Sequence, residues 1–268
     1  MKKYLLTVCF MAISFMASAQ FATSNSSSSF GASTKASDEV SGHSSFYVQY
    51  NSFGVGEFAD VLDDMDAESD KLTGFTLGGN KTIPVASSLP LFIEIGAGLT
   101  YAWAKIYDEE ESEECYWCED EYTFNERVSS QHLMINIPVN LMYKFQLPNS
   151  SITLEPYVGL NVKGHLLGQM KGKITYDACC DDMEEVMDEE MDEIDEDDLT
   201  VNYFDKDDVG GKKYVAKRVN VGWQIGANID FGSAFVGVSY GSDFNKFRKV
   251  GSDEWIFSAT NITVGLRF

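Results

Sequence analysis

Apolar and polar residues alternate along most of this chain, and toward its C-terminal end the alternation is nearly unbroken. Over 218–231, 234–240 and 256–268 every second residue is apolar, and the last segment reads Asn261-Ile-Thr-Val-Gly-Leu-Arg-Phe268. Period two puts alternate side chains on opposite faces of a strand. The pattern predicts eight strands, at 45–54, 72–83, 91–107, 131–147, 152–170, 218–231, 234–243 and 255–268. Most reach the roughly 9–11 residues of a tilted membrane-crossing strand. Lipid satisfies no backbone hydrogen bond, so such strands must close into a ring. The expected fold is all-β: an eight-stranded antiparallel up-and-down transmembrane β-barrel.

The connections support this. Segments 84–90, 148–151 and 232–233 are short, whereas 55–71, 108–130, 171–217 and 244–254 are long and mostly charged. Barrels of this kind pair short periplasmic turns with longer outer loops. Within the strands, Leu133, Ile135, Ile137, Val139, Leu141, Tyr143 and Phe145 share one face, opposed by His132, Asn136, Asn140 and Lys144. Parallel reasoning sends Glu155, Tyr157, Asn161, Lys163 and His165 inward, with Arg218, Asn220, Gln224, Asn228 and Asp230, and Thr263 and Arg267. Glu94, Lys144, Glu155, Lys163, Asp230 and Arg267 therefore form a predicted lumen charge network, because a lone buried charge is costly. An eight-stranded interior is just filled by side chains, so the expectation is a plugged core and not a pore. Tyr107, Trp255 and Phe268 suit interfacial girdles.

The chain start reads as a cleaved secretory signal over 1–19, with Lys2 and Lys3, an apolar core over 4–15, and Ala17-Ser-Ala19 as the cleavage site after Ala19. Residues 20–43 read as a flexible Ser-rich tail, leaving 44–268 as the barrel. No stretch approaches the roughly 18 apolar residues of a spanning helix.

The chain carries 42 acidic against 20 basic residues, a net charge of −22. That balance argues against nucleic acid as a partner. Thirty-four of the 42 acids fall in the three loops 55–71, 108–130 and 171–217, which makes these loops the exposed, charged surface.

The segments Leu133-Met-Ile-Asn-Ile-Pro-Val-Asn-Leu-Met-Tyr-Lys-Phe145 and Leu154-Glu-Pro-Tyr-Val-Gly-Leu-Asn161 resemble a corresponding region of PorT-like small outer-membrane β-barrel proteins. Val221-Gly-Trp-Gln-Ile-Gly-Ala-Asn-Ile-Asp-Phe231 and Ile262-Thr-Val-Gly-Leu-Arg-Phe268 look like the final strands of that family, a porin-family, OmpA/OmpX-type barrel. The resemblance spans about 44–268 without the acidic loops. It implies residence in outer-membrane lipid, insertion by the barrel-assembly machinery through terminal Phe268, and a secretion- or assembly-associated role. The long acidic insertions depart from it.

Four further features carry candidate chemistry. Cys115, Cys118, Cys179 and Cys180 lie two per loop, and an export route favours disulfides. Three connectivities are open, and those tying the second loop to the third avoid the strained Cys179–Cys180 bridge. A four-thiolate zinc site lacks the usual spacing. Asp64, Asp66, Glu68 and Asp70 alternate as calcium ligands do, and Asp205-Lys-Asp207-Asp-Val-Gly210 opens like a calcium loop. Neither has the closing Glu, so Ca2+ is expected only as a diffuse loop-bound ion and no cofactor is assigned. Met183, Val186, Met187, Met191 and Ile194 recur at helical steps among acids, a stripe suited to a partner. His132 and His165 with Ser129 or Ser130 suggest a lipid-modifying site, but inward histidines serve more simply in a lumen network, so no catalysis is expected. The function expected is structural, adhesive or surface-interacting, through acidic extracellular loops toward an unidentified extracellular partner.

Overall fold

The computed structural model describes residues 42–55, 71–86, 89–114, 121–148, 150–178, 199–209, 215–250 and 253–268. Eight long strands make the wall: β1 Ser44–Val55, β2 Lys71–Pro84, β3 Leu91–Glu114, β4 Glu121–Tyr143, β5 Thr153–Asp177, β6 Val219–Asp230, β7 Ala234–Asp243 and β8 Phe257–Arg267. Each pairs antiparallel with its neighbour in sequence. β8 returns to β1, from Ser45↔Arg267 to Val55↔Phe257, and closes the ring. The fold is therefore an eight-stranded up-and-down barrel, the only way a sheet can lie in lipid without an exposed edge.

Burial follows the alternation. Phe46, Val48, Leu77, Ile95, Val139, Val158, Ile225, Val238 and Val264 point outward and stay exposed. Tyr47, Asn51, Thr76, Thr100, Asn140, Glu155, Asn228 and Asn261 point inward and are buried. A large exposed apolar band around a polar interior is the reverse of a soluble protein. Aromatic girdles border the band. Tyr50, Phe75, Tyr101 and Trp103 touch in series on one side of the ring, and Trp223 meets Tyr240 on another. Tyr143 and Phe145 pack at 4.4 Å beside the short connections. These features make the chain an outer-membrane β-barrel. Its end with the short connections is the turn end below, and the opposite end is the loop end.

Two expectations about the loops are corrected. Most of 108–130 is strand: β3 runs to Glu114 and β4 starts at Glu121, paired through Asp108↔Arg127 and Glu114↔Glu121. β5 likewise continues past Met170 to Asp177, paired to β4 through Thr123↔Asp177. Acidic side chains hide the alternation there, but the hydrogen bonds that hold a ladder are backbone ones. Arg127 also donates two bonds of 3.2 Å to Asp108. Between 244 and 254 the structure places a small hairpin, Arg248–Val250 paired with Asp253–Trp255.

The wall is irregular at two places, between Lys105 and Tyr107 in β3 and between Leu133 and Met134 opposite Leu166 in β5. A bulge reverses which residues face inward. Beyond Leu166 the inward residue is Gly168, whose carbonyl accepts the Tyr203 N–H at 2.9 Å and against which the Tyr203 and Phe204 rings pack. A Cβ on Gly168 would sit 3.0 Å from the Phe204 ring.

The exposed band generates a direct expectation. Val238→Arg, near the middle of β7 and facing lipid, lowers unfolding stability in phospholipid vesicles by about 2–4 kcal/mol, measured by urea titration. An unchanged midpoint would mean that this face does not meet lipid.

Candidate functional site

From turn end to loop end the interior falls into three layers. The first is ionic. Glu155 is 0% exposed and meets the guanidinium of Arg267 through both carboxylate oxygens, while Lys144 approaches at 3.3 Å. Arg267 also bonds Asp230, and its guanidinium stacks on Phe235 at 4.8 Å. Lys144 lies over Phe92. Just before β1, the His43 imidazole takes a bond from Lys144 at Nδ1 and contacts Thr82 Oγ1 through Nε2, both at 3.2 Å. Burial first, then repulsion from Lys144 and Arg267, pushes the His43 imidazole down to about 3. It is neutral at neutral pH, which its acceptor role toward Lys144 requires.

The second layer is amide-rich. Asn140 donates to Glu94 at 2.9 Å, and its own carbonyl oxygen accepts from Gln224 at 2.6 Å. Asn51, Thr76, Thr100 and Asn136 form a chain across β1 to β4. A cavity of about 60 Å³ lies among these groups, lined also by Asn161, Asn228, Asn261 and Tyr157. At the loop-end side of this layer Lys163 donates to Asp243 at 2.7 Å, and Asn220 donates to the other Asp243 oxygen at 3.1 Å. The Lys163 ammonium also lies 6.0 Å from the ring centres of Phe53 and Phe257.

The third layer is an apolar plug. Phe53, Leu72, Ala102, Ala104, Met134, Phe257 and Ala259 from the wall meet Tyr203, Ala216 and Phe247 from the loops. Tyr203 and Phe247 are 1% and 0% exposed. Backbone bonds hold them: Tyr203 N–H to Gly168, Ala216 N–H to Tyr203, and Lys217 N–H to Phe247, all at 2.7–2.9 Å. The segments carrying these aromatics are expected from the sequence as exposed, charged connections. Instead they fold inward, and the signal was three aromatics, Tyr203, Phe204 and Phe247, among charged neighbours.

His132 and His165 sit inside the plug. Their rings are 6.4 Å apart, and His165 lies 4.6 Å from the Phe247 ring. The Ser130 hydroxyl lies between His132 Nε2 at 3.2 Å and the Tyr203 phenol at 3.1 Å. A serine nucleophile needs a base that is itself oriented. Here His132 Nδ1 has no hydrogen-bond partner among the described residues, and both rings are buried beneath the loops. The arrangement is a packed polar contact inside the plug.

Of the six predicted lumen charges, Lys144, Glu155, Asp230 and Arg267 come together at the turn end, while Glu94 and Lys163 stand in the middle layer. The partner of Lys163, Asp243, was not anticipated, although it occupies the last inward position of β7. Arg218 is exposed, with its guanidinium 4.3 Å above the Phe204 ring outside the lumen. Cys115, Cys118, Cys179, Cys180, Asp64, Asp66, Glu68 and Asp70 lie outside the described residues, as do residues 182–198 with the methionine stripe. Asp205 and Asp208 accept backbone N–H bonds from Asp207 and Asn202, so their carboxylates cap a turn.

No family model matches the chain, and no curated protein does. Solved structures do. The chain is similar to Ail, the attachment invasion locus protein of Yersinia pestis, crystallised with the heparin analogue sucrose octasulfate, at 10% identity over 85% of this chain and 99% of that one, with a TM-score of 0.35. It is similar to the outer membrane enzyme PagL at 12% identity over 82% and 98%, with a TM-score of 0.40. The Neisserial surface protein A gives 10% identity over 85% and 97%, with a TM-score of 0.33.

The Lys163–Asp243 pair makes a sharp test of the interior. Lys163→Met strands a buried carboxylate and lowers unfolding stability by about 3–5 kcal/mol, read by urea titration in vesicles. Adding Asp243→Leu restores most of that loss, since a well-packed apolar pair is tolerated where a single charge is not. A double variant as unstable as the single would show that the two charges are not coupled.

Proposed function

We propose that this protein is a sealed outer-membrane anchor that presents an acidic, sheet-built surface outside the cell to a cationic partner surface. One observation carries the reading. β3, β4 and β5 are 24, 23 and 25 residues long, whereas β1, β6, β7 and β8 have 10–12. The last residue of β3 paired to β2 is Trp103. From there to Glu114 the strand continues for about 35 Å at ~3.3 Å per residue. A membrane anchor alone needs no such extension.

The extension is acidic in sequence and ordered by its own ladder, so its charge is displayed on a rigid frame. Asp108 illustrates the point. Contacts from Lys105, then Arg127, hold its carboxyl below the ordinary carboxylate range. Exposed pairs of this kind add little stability, and their use is in fixing a charged surface. The filled interior supports the same reading, because among the described residues the ionic layer and the plug occupy the two ends of the lumen. The buried Ser130–His132 contact gives a lipid-modifying role no support.

The extension is separable from the barrel, so it can be tested. Joining Ala104 to its partner Ser130 through an Asn-Gly turn keeps the β3–β4 register, removes the protruding part of both strands and leaves the residues of the membrane ring. The shortened protein inserts into vesicles and remains heat-modifiable on gels. Proteoliposomes carrying it bind polylysine-coated beads at least tenfold less than those carrying the full chain. Equal binding by the two would remove the extension from the function.

A further inference from the structure

The lumen holds one more carboxylate than it has cations. Among the described residues, the inward charges beneath the plug are Glu94, Glu155, Asp230 and Asp243 against Lys144, Lys163 and Arg267. Three of the four acids have a cation in direct contact. Glu94, only 5% exposed, has none within ion-pair distance among the described residues; its contacts are the side-chain amides of Asn140 and Asn80. Asn140 donates to it through Nδ2, while its carbonyl oxygen accepts from Gln224.

Residues with unpartnered oxygen atoms line the same cavity, as does Lys163, whose ammonium is paired with Asp243. Asn80 Oδ1, Asn161 Oδ1 and Asn261 Oδ1 are buried and make no hydrogen bond, and all three residues line the cavity that Glu94 lines. Asn261 is 8% exposed, and its amide nitrogen is committed to Ser239 Oγ at 3.0 Å, which leaves its oxygen turned to accept. Tyr47 and Tyr157 add hydroxyls to the lining. Water satisfies amide oxygens, but it leaves the buried negative charge uncompensated.

We propose that the barrel interior binds one small monovalent cation, Na+, at Glu94, with amide carbonyl oxygens and a few waters completing its shell. The carboxylate and the unpartnered atoms of the lining are all hard oxygens, which suit alkali and alkaline-earth ions. One uncompensated carboxylate matches one positive charge; a divalent ion would reverse the imbalance. The cavity of about 60 Å³ holds an ion with a few waters, since one water needs about 10–15 Å³ on this measure. The cation completes the lumen charge balance and ties together β2, β3, β5 and β8, which carry Asn80, Glu94, Asn161 and Asn261. This inference is independent of any role for the acidic surface.

The test uses the whole purified barrel in detergent, with NaCl exchanged for N-methyl-D-glucamine chloride at constant ionic strength. The wild-type melting midpoint, read by the heat-modifiable gel shift, climbs by about 3–6 °C for each tenfold rise in Na+ above half-saturation. Glu94→Gln abolishes the climb and melts no lower than wild type without Na+. A wild-type midpoint indifferent to Na+, or a climb that persists in Glu94→Gln, overturns the proposal; the first would assign the balancing charge to a proton, the second to the acidic loops. Wild-type chain folded and crystallised with thallium(I) in place of Na+ gives a reading that needs no variant. An anomalous peak beside Glu94 supports the site, and peaks confined to the surface overturn it.

Discussion

Lipid offers no hydrogen bonds, and the structure follows from that constraint. Every backbone N–H and C=O in the membrane must find a partner within the protein, which the ring of eight strands achieves by pairing β8 back onto β1. Closure at eight strands leaves an interior too narrow to stay open and too polar to pack like an ordinary core. The chain resolves this in layers: paired charges around Glu155 and Arg267, amides around Glu94 and Asn140, and aromatic packing around Phe247 and Tyr203. Each layer removes a different cost. Salt bridges offset the burial of charge, amide chains satisfy polar groups at low net charge, and the plug supplies the dispersion and desolvation that a small barrel otherwise lacks.

Much of this was legible in the sequence because one rule, alternation, governs both faces of a membrane strand. β7 has the bounds that its pattern predicts, Ala234–Asp243. The inward placement of Glu155, Lys163 and Asp230 follows from counting by two. What alternation does not reveal is partnership. Lys163 and Asp243 are 80 residues apart in the chain, and their meeting depends on a register that only the closed ring specifies. Acid-rich strand is equally opaque. From Asp108 to Glu114 every side chain is polar, so period two vanishes while the backbone ladder continues. The bulge opposite Leu133 hides the approach of Tyr203 to Gly168, since a single extra residue reverses the inward set.

The same physics separates the membrane ring from the extension above it. Below the girdles, strands are short and their side chains alternate between lipid and lumen. Above them, β3, β4 and β5 rise on without a lipid to face, and their sequence turns acidic where apolar residues would be a liability. Three loop aromatics turn inward: Tyr203, Phe204 and Phe247 pack around His132 and His165 and close the mouth. The histidines that first suggest chemistry thus belong to the seal.

The seal is the central claim, and single-channel recording tests it most directly. Wild-type protein reconstituted in planar bilayers shows no steady conductance steps above a lipid-only baseline across ±100 mV, because the ionic layer and the plug stand in series. Stable ohmic steps from the folded, heat-modifiable wild-type protein would contradict the account, since they would require an open path past Arg267 and Phe247 together.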